Sequence, residues 1–351
     1  GLPNSRFGSS LNCGLLRLRR QMCRLFSSVK VSPSVEIVEI RPGRKLAIYT
    51  NRTSEIYRGK GVLFFIHGVG GSAKIWHNQV EHFLLKGYQT VVVDLAGHGN
   101  SPLLANYLFC GESSLLANEN SVVVCCRCPK TQPLRQQCHF EEHVKDVQAV
   151  FDKYVATQIL TLKVEETNVR ETLELEDFHV IVVGHSYGTS LAVRLAESRS
   201  QLVDRLVLIS GGAPIPLKPE PGLLSLPSMC LALCTPCIRW GFLRLAFGKP
   251  RPIEHYPESS TSKPVTVPVS VEKPLTASRL EHPKSLYSRP TKLEMKETFC
   301  LNAYTLRATM AGQIWQEGTK EFYEKLNLPV LLISGANDKL VPLSEEEEAL
   351  H

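Results

Sequence analysis

The chain predicts an α/β fold: a mostly parallel sheet with helices on both faces. Three observations carry that prediction. From Val35 onward, short runs of β-branched and aliphatic residues alternate with segments of helical periodicity, the rhythm of strands joined by crossover helices. Several of these runs, such as GVLFFI at 61–66 and HVIVV at 179–183, are apolar without alternation, as strands buried on both faces must be. The second of them runs directly into Gly184-His185-Ser186-Tyr187-Gly188 and then a helical pattern, a strand-to-helix turn built around a serine.

Taken in order, VEIVEI and KLAIYT read as a hairpin turned at Pro42-Gly43, and GVLFFI as a buried strand. A helical pattern over 73–86 is ended by Gly87 and followed by the strand QTVVVD at 89–94. A helix is predicted near 141–155, the strand HVIVV at 179–183, a helix over 187–197 and a strand over 202–210. The next strand signal, PVLLIS at 329–334, comes more than a hundred residues later. The intervening stretch holds an apolar segment at 223–247 and a helical CLNAYTLRATMAGQIW, and so predicts a helical lid inserted between two sheet strands. Two segments break the rhythm. Residues 103–138 carry Cys110, Cys125, Cys126, Cys128 and Cys138 without period, and 249–292 are crowded with Pro, Ser, Thr and Lys, a composition that builds no core.

With 43% hydrophobic and 21% charged residues, the 351-residue chain can bury a substantial core. Its formal charge of +6 sits in one place. Arg6, Arg17, Arg19, Arg20, Arg24 and Lys30 precede the first acid, Glu36, leaving 34 of the 40 Lys and Arg against 34 Asp and Glu. No basic stripe remains for a phosphate backbone, which argues against nucleic acid. Eleven scattered cysteines, an odd number, do not form the even framework of a small secreted domain. A cytoplasmic or mitochondrial location is expected, not secretion. Leu11, Leu15, Leu18, Met22 and Leu25 recur at helical spacing in the acid-free start, the pattern of a targeting segment or a membrane-surface anchor. The run 223–247 is broken by Pro227, Pro236, Arg239 and Arg244, so it reads as an amphipathic element, not a span.

A serine hydroxyl attacks a carbonyl only with a base to take its proton and donors to hold the oxyanion. The turn at Ser186 exposes that hydroxyl, the flanking Gly184 and Gly188 leave room for the crossing backbone, and a helix N-terminus faces the developing charge. A second donor is expected after an earlier strand. His67-Gly68-Val69-Gly70-Gly71 follows GVLFFI, and the N–H groups of Val69 and Tyr187 are the expected pair. His67 is expected to brace this loop, with Gly68 and Gly70 giving it room. Its spacing does not give the Gly-x-Gly-x-x-Gly of a dinucleotide cradle. Asp338 falls in the turn after PVLLIS, where a carboxylate would reach an imidazole.

FFIHGVGGS, VVVDLAGHGNS and VIVVGHSYGTS together resemble the α/β-hydrolase superfamily, the second through an Asp-x-x-Gly-x-Gly turn at Asp94–Gly99. The resemblance implies an α/β-hydrolase fold, with Ser186 as nucleophile, Val69 and Tyr187 as oxyanion donors and Asp338 as the acid. It implies hydrolysis of an ester, amide or thioester, often of a lipid, with no cofactor and no metal. The superfamily places its histidine beyond the acid, after one further helix and an eighth strand. Here Ser344 with Glu345, Glu346 and Glu347 announces a helix that stops at His351. The expectation is a fold without its C-terminal helix and last strand, and a chain inactive for lack of the histidine. His351 has no strand to carry it over the sheet, and His185 is expected to point away from the serine as a hydrogen-bonded structural residue.

The expected organisation is a basic segment at 1–34, a core at 35–212 carrying the insertion 103–138, a cap at 213–326 containing 249–292, and a second core part at 327–351. Expected partners are a small-molecule or lipid acyl ester and, peripherally, a membrane. Oligomeric state is not readable. A non-catalytic adaptor and a lysolipid acyltransferase are the alternatives, although the His-x4-Asp of such transferases is absent from the sequence. Cys230, Cys234 and Cys237 are expected to pack over the pocket or to meet lipid. Cys125, Cys126, Cys128, Cys138 and His139 lack paired zinc spacing.

Overall fold

Strand β1, Ser34–Arg41, turns through Pro42-Gly43 into β2, Arg44–Thr50. Gly43 takes φ 75° there, a conformation that glycine adopts without Cβ strain. The computed structural model describes residues 34–51, 60–103, 134–159, 178–219, 222–246, 303–335 and 338–341. The basic segment before residue 34, nearly all of the Cys-rich insertion, the Pro-rich stretch, the Ser344 capping box and His351 lie outside them.

Strands β3 (Gly61–Ile66), β4 (Gln89–Val93), β5 (His179–His185), β6 (Arg205–Ile209) and β7 (Val330–Ile333) complete a seven-stranded sheet in the order β1-β2-β4-β3-β5-β6-β7. The hairpin joins antiparallel, and the pairs β3/β4, β3/β5, β5/β6 and β6/β7 are parallel. Every residue of β3 and β4 is buried, which is why their sequences run apolar without alternation. On one face, Val62, Phe64 and Ile66 pack with Phe140, Val147, Phe151, Leu191 and Leu195. Those partners come from α3 (Phe140–Phe151) and α4 (Tyr187–Ser198); α2 is the short Leu134–Gln137 before them. On the other face, Leu63 and Phe65 meet Trp76 and Val80, carried by a 3-10 turn at Ala73–Trp76 and by α1, His77–Leu85.

Three boundaries differ from the periodicity. The helix predicted over 73–86 divides after Trp76. The Ala73 N–H donates to Asp94 Oδ1 at 2.6 Å, and the tight first turn swings Trp76 onto Phe65 at 4.9 Å. The helix near 141–155 starts at Phe140 and widens into a π-helical turn at Asp152–Ala156, where Arg199 grips Asp152 through two nitrogens at 2.8 and 2.7 Å. The strand predicted over 202–210 contracts to Arg205–Ile209. Leu202 and Val203 are held in the preceding turn by Arg199 O, and the Asp204 carboxylate accepts from Val180 N at 2.6 Å.

Between β6 and β7 the chain forms α5 (Ser228–Ala246), α6 (Ala303–Ala311) and α7 (Lys320–Tyr323). Ile238, Phe242 and Leu243 of α5 pack with Leu306 and Met310 of α6, and this cluster touches Val69. Trp315 is tied to Leu217 by reciprocal backbone bonds of 3.0 and 3.2 Å and stacks on Phe140 at 5.1 Å. The inserted helices are thereby anchored to the central sheet.

Candidate active site

The parallel strands deliver their following residues to one edge of the sheet: His67 after β3, Asp94 after β4, Ser186 after β5, Ser210 after β6 and Asp338 after β7. Register makes this convergence exact in sequence terms, with Ile66 opposite Gly184, His185 opposite Ile209, and Ile209 opposite Ile333. Ligand sites on open parallel sheets occupy this edge.

Ser186 takes φ 52° and ψ −126°, a conformation that costs a non-glycine residue on the order of 1–3 kcal/mol and must be over-determined by its surroundings. Ser186 N donates to Ile209 O at 2.9 Å, and Ser186 O accepts from Thr189 N at 2.9 Å and from Thr189 Oγ1 at 2.6 Å. The glycines set the approach. A Cβ on Gly184 would lie 2.5 Å from Gly188 O, and one on Gly188 would lie 2.5 Å from Ile66 O and 2.6 Å from His67 O. A Cβ on Gly68 would fall 2.7 Å from Ser186 Cβ and 3.2 Å from its Oγ. The loop carrying Gly68 and Val69 is therefore pressed against the serine because it has no side chain there. Gly70 allows its turn at φ 80°. Neither Val69 N nor Tyr187 N has an acceptor among the described residues.

His67 is committed elsewhere. Leu95 N donates to its Nε2 at 3.0 Å, so the ring proton is on Nδ1, which donates to Gly68 O at 2.7 Å. Burial lowers its pKa to about 4, and the neutral ring links the loops after β3 and β4. Asp94, 4.0 Å from it, anchors the second loop. Its Oδ2 accepts from Asn100 N at 2.8 Å and Tyr49 Oη at 2.9 Å, and Gly99 leaves it room. His98 donates through Nδ1 to Ala96 O at 3.0 Å.

His185 differs from its expectation at one nitrogen. Its Nδ1 is buried without a hydrogen-bond partner, and its ring stands edge-on to Trp76 at 6.2 Å. Burial lowers its pKa, and the nearby Asp338 carboxylate partly opposes that. Asp338 Oδ1 accepts from Leu340 N at 2.9 Å and Val341 N at 3.0 Å, which fixes the carboxylate and leaves Oδ2 free of any donor among the described residues. No histidine ring bonds to Ser186 Oγ among those residues.

Sequence reasoning missed two neighbours. Ser210 also takes a positive φ, 50°, followed by Gly211 and Gly212 at φ 148° and 101°; a Cβ on Gly211 would meet Ser186 O at 3.1 Å. A Ser-Gly-Gly triplet after a strand was its only signal. His143, fully buried with its ring edge-on to Tyr187 at 6.1 Å, gave no signal beyond an apolar helix face. Cys138 is buried, whereas Cys230 and Cys237 are exposed and Cys234 intermediate. Exposure excludes packing over a pocket for Cys230 and Cys237, whose helix buries its opposite side, and leaves for them the other expectation, contact with lipid.

The chain belongs to the alpha/beta hydrolase fold family, whose model matches residues 61–246. Protein ABHD8 of Mus musculus is 29% identical to it over 314 residues, 88% of this chain and 52% of that protein. The Homo sapiens protein ABHD8 is 29% identical over 287 residues, 82% of this chain and 46% of that protein. The chain thus spans about half the length of the curated relatives it matches. A mutant epoxide hydrolase from Solanum tuberosum shares the fold, with a TM-score of 0.50, 16% identity and coverage of 91% of this chain and 86% of that one.

Proposed function

We propose that this protein is a serine hydrolase that cleaves a carboxylic ester or thioester, with Ser186 forming an acyl-enzyme. The single observation that carries the reading is the strained φ of 52° at Ser186, held by bonds on both sides of its peptide and by glycines where a Cβ would collide. Strain concentrated at a partly exposed nucleophilic residue is the form that functional backbone outliers take. The N–H groups of Val69 and Tyr187 fit the role of oxyanion donors, worth roughly 3–4 kcal/mol each in comparable sites. Tyr187 adds the N-terminus of α4 behind its N–H. Asp338, with one oxygen fixed and the other without a donor among the described residues, fits the role of orienting an imidazole. The apolar cluster in which Val69, Ile238, Phe242 and Leu243 all pack on Leu306 favours an acyl substrate with an apolar tail, beneath a lid formed by α5 and α6.

The absence of a histidine on Ser186 Oγ among the described residues favours, as a second reading, a hydrolase fold that binds acyl ligands without turnover. One experiment separates the two. A fluorophosphonate probe is expected to label the 351-residue chain slowly, to label it faster when free imidazole supplies the base, and not to label Ser186→Ala. Labelling retained in Ser186→Ala overturns the nucleophile assignment. No labelling with or without imidazole leaves the non-catalytic reading as the better account.

A further inference from the structure

Helix α5 is apolar on two sides. One side is spent inside the protein, where Leu231 is fully buried and Ile238, Phe242 and Leu243 pack against Leu306 of α6. The other side carries Cys230, Leu233, Cys237 and Trp240, a repeat of three and four residues that places them in one row, with Arg244 and Leu245 at its end. Leu233 is 79% exposed, Trp240 63% and Leu245 45%, and Cys230, Pro236 and Cys237 are exposed as well. Such a row on an isolated protein surface marks an interaction site.

Charge indicates which partner. The sequence has no acid between Glu220 and Glu254, while Arg239, Arg244, Lys249 and Arg251 all fall in that interval. The Arg244 guanidinium lies over the Trp240 ring, 5.2 Å from its centroid, so an aromatic plate and a cation occupy one spot on the exposed face. Indole rings and arginines with apolar stems are the side chains that settle at the boundary between lipid headgroups and acyl chains. No helix among the described residues is long and apolar enough to cross a membrane, so α5 can lie in a bilayer surface but not span it.

We propose that the outer face of α5 docks the protein onto an anionic lipid bilayer, with Leu233, Trp240 and Leu245 entering the headgroup boundary and Arg244 pairing with lipid phosphate or carboxylate. The inner face of the same helix packs on Leu306, which Val69 also meets, so the docked side faces the bilayer while the other joins the apolar cluster beside the candidate active site. The docking does not depend on the hydrolase reading and is tested without it.

The chain contains three tryptophans. Trp76 and Trp315 are only 3% and 2% exposed, which makes Trp240 the one that responds to a new environment. Vesicles of phosphatidylcholine with phosphatidylserine are expected to blue-shift the emission, and brominated acyl chains to quench it. Arg244→Glu should weaken binding at least about fivefold, the equivalent of the roughly 1 kcal/mol that one basic residue contributes at an anionic surface. Leu233→Glu should weaken it at least about tenfold by setting a charge in the boundary. Both positions are exposed, so thermal midpoints should not move. Equal binding to pure phosphatidylcholine overturns the charge argument. Binding without a change at Trp240 overturns the docking face and assigns membrane contact to another segment, such as the basic residues before position 34. A blue shift that grows with protein concentration in the absence of lipid overturns the proposal in favour of a second copy of the chain.

Discussion

Gly188 is the residue on which the site's geometry is most finely balanced. Its missing Cβ is the space occupied by Ile66 O and His67 O, both backbone atoms that cannot rotate aside. Gly188→Ala is expected to lower stability by about 1–3 kcal/mol, the cost of overpacking a close-fitted interior, and to displace Ser186. The checks are the urea midpoint and the fluorophosphonate rate, which should both fall. Strand, serine and flanking glycines were legible because short-range rules fix them: a sharp strand-to-helix turn needs small neighbours whatever the rest of the fold. His185 was not legible in the same way. Its apolar seat against Trp76 depends on the 3-10 turn after β3, more than a hundred residues earlier, and no local pattern records that contact.

At the level of elements, the β1/β2 hairpin is fastened to α3 by charge. Asp146, fully buried, accepts from Arg41 Nε at 2.9 Å and Arg44 Nε at 3.1 Å and pairs with both guanidinium groups, while Arg41 also reaches Glu142 at 2.9 Å. Removing one partner of a buried ion pair strands the other, at a cost of about 3–5 kcal/mol. Asp146→Ala should therefore cost about that much in denaturant unfolding, and Arg41→Ala, at the more exposed position, clearly less. The hairpin, the strands and most helices were read directly from periodicity, yet this clamp was not, because its residues are about a hundred positions apart and each alone resembles surface charge. The helix boundaries that shifted were likewise decided from outside: Asp94 reset the start of the segment at Ala73, and Arg199 widened the last turn after α3.

Across the whole molecule, the buried imidazoles set a direction for acid sensitivity. Burial lowers His67 to about 4 and His98 to about 3 from an ordinary value of 6.5. The folded state resists a proton that the unfolded chain accepts, so their contribution is complete above pH 6.5 and declines as the pH falls toward 4 and then 3. For His67 alone the decline amounts to about 3 kcal/mol by pH 4. Urea midpoints measured through that range should fall, and His98→Asn should flatten the lower part of the curve; a midpoint indifferent to pH below 6.5 would contradict neutral burial of these rings. The succession of strands along the chain and the helical insertion before β7 were anticipated from the sequence, whereas the order of strands within the sheet was not, and the outward row on α5 emerged only when the helix's inner contacts were known. Periodicity shows that a helix has faces but not which one the protein uses.

The clamp at Asp146 also bears on how the protein is made. Ribosomes add about 5–20 residues each second, and Asp146 follows Arg44 by 102 positions. For roughly 5–20 s after Arg44 is added, the emerging hairpin therefore lacks the carboxylate that holds it. The β1/β2 hairpin cannot be secured at its place on the sheet edge until α3 has followed it, so the nascent chain closes this edge of the sheet late.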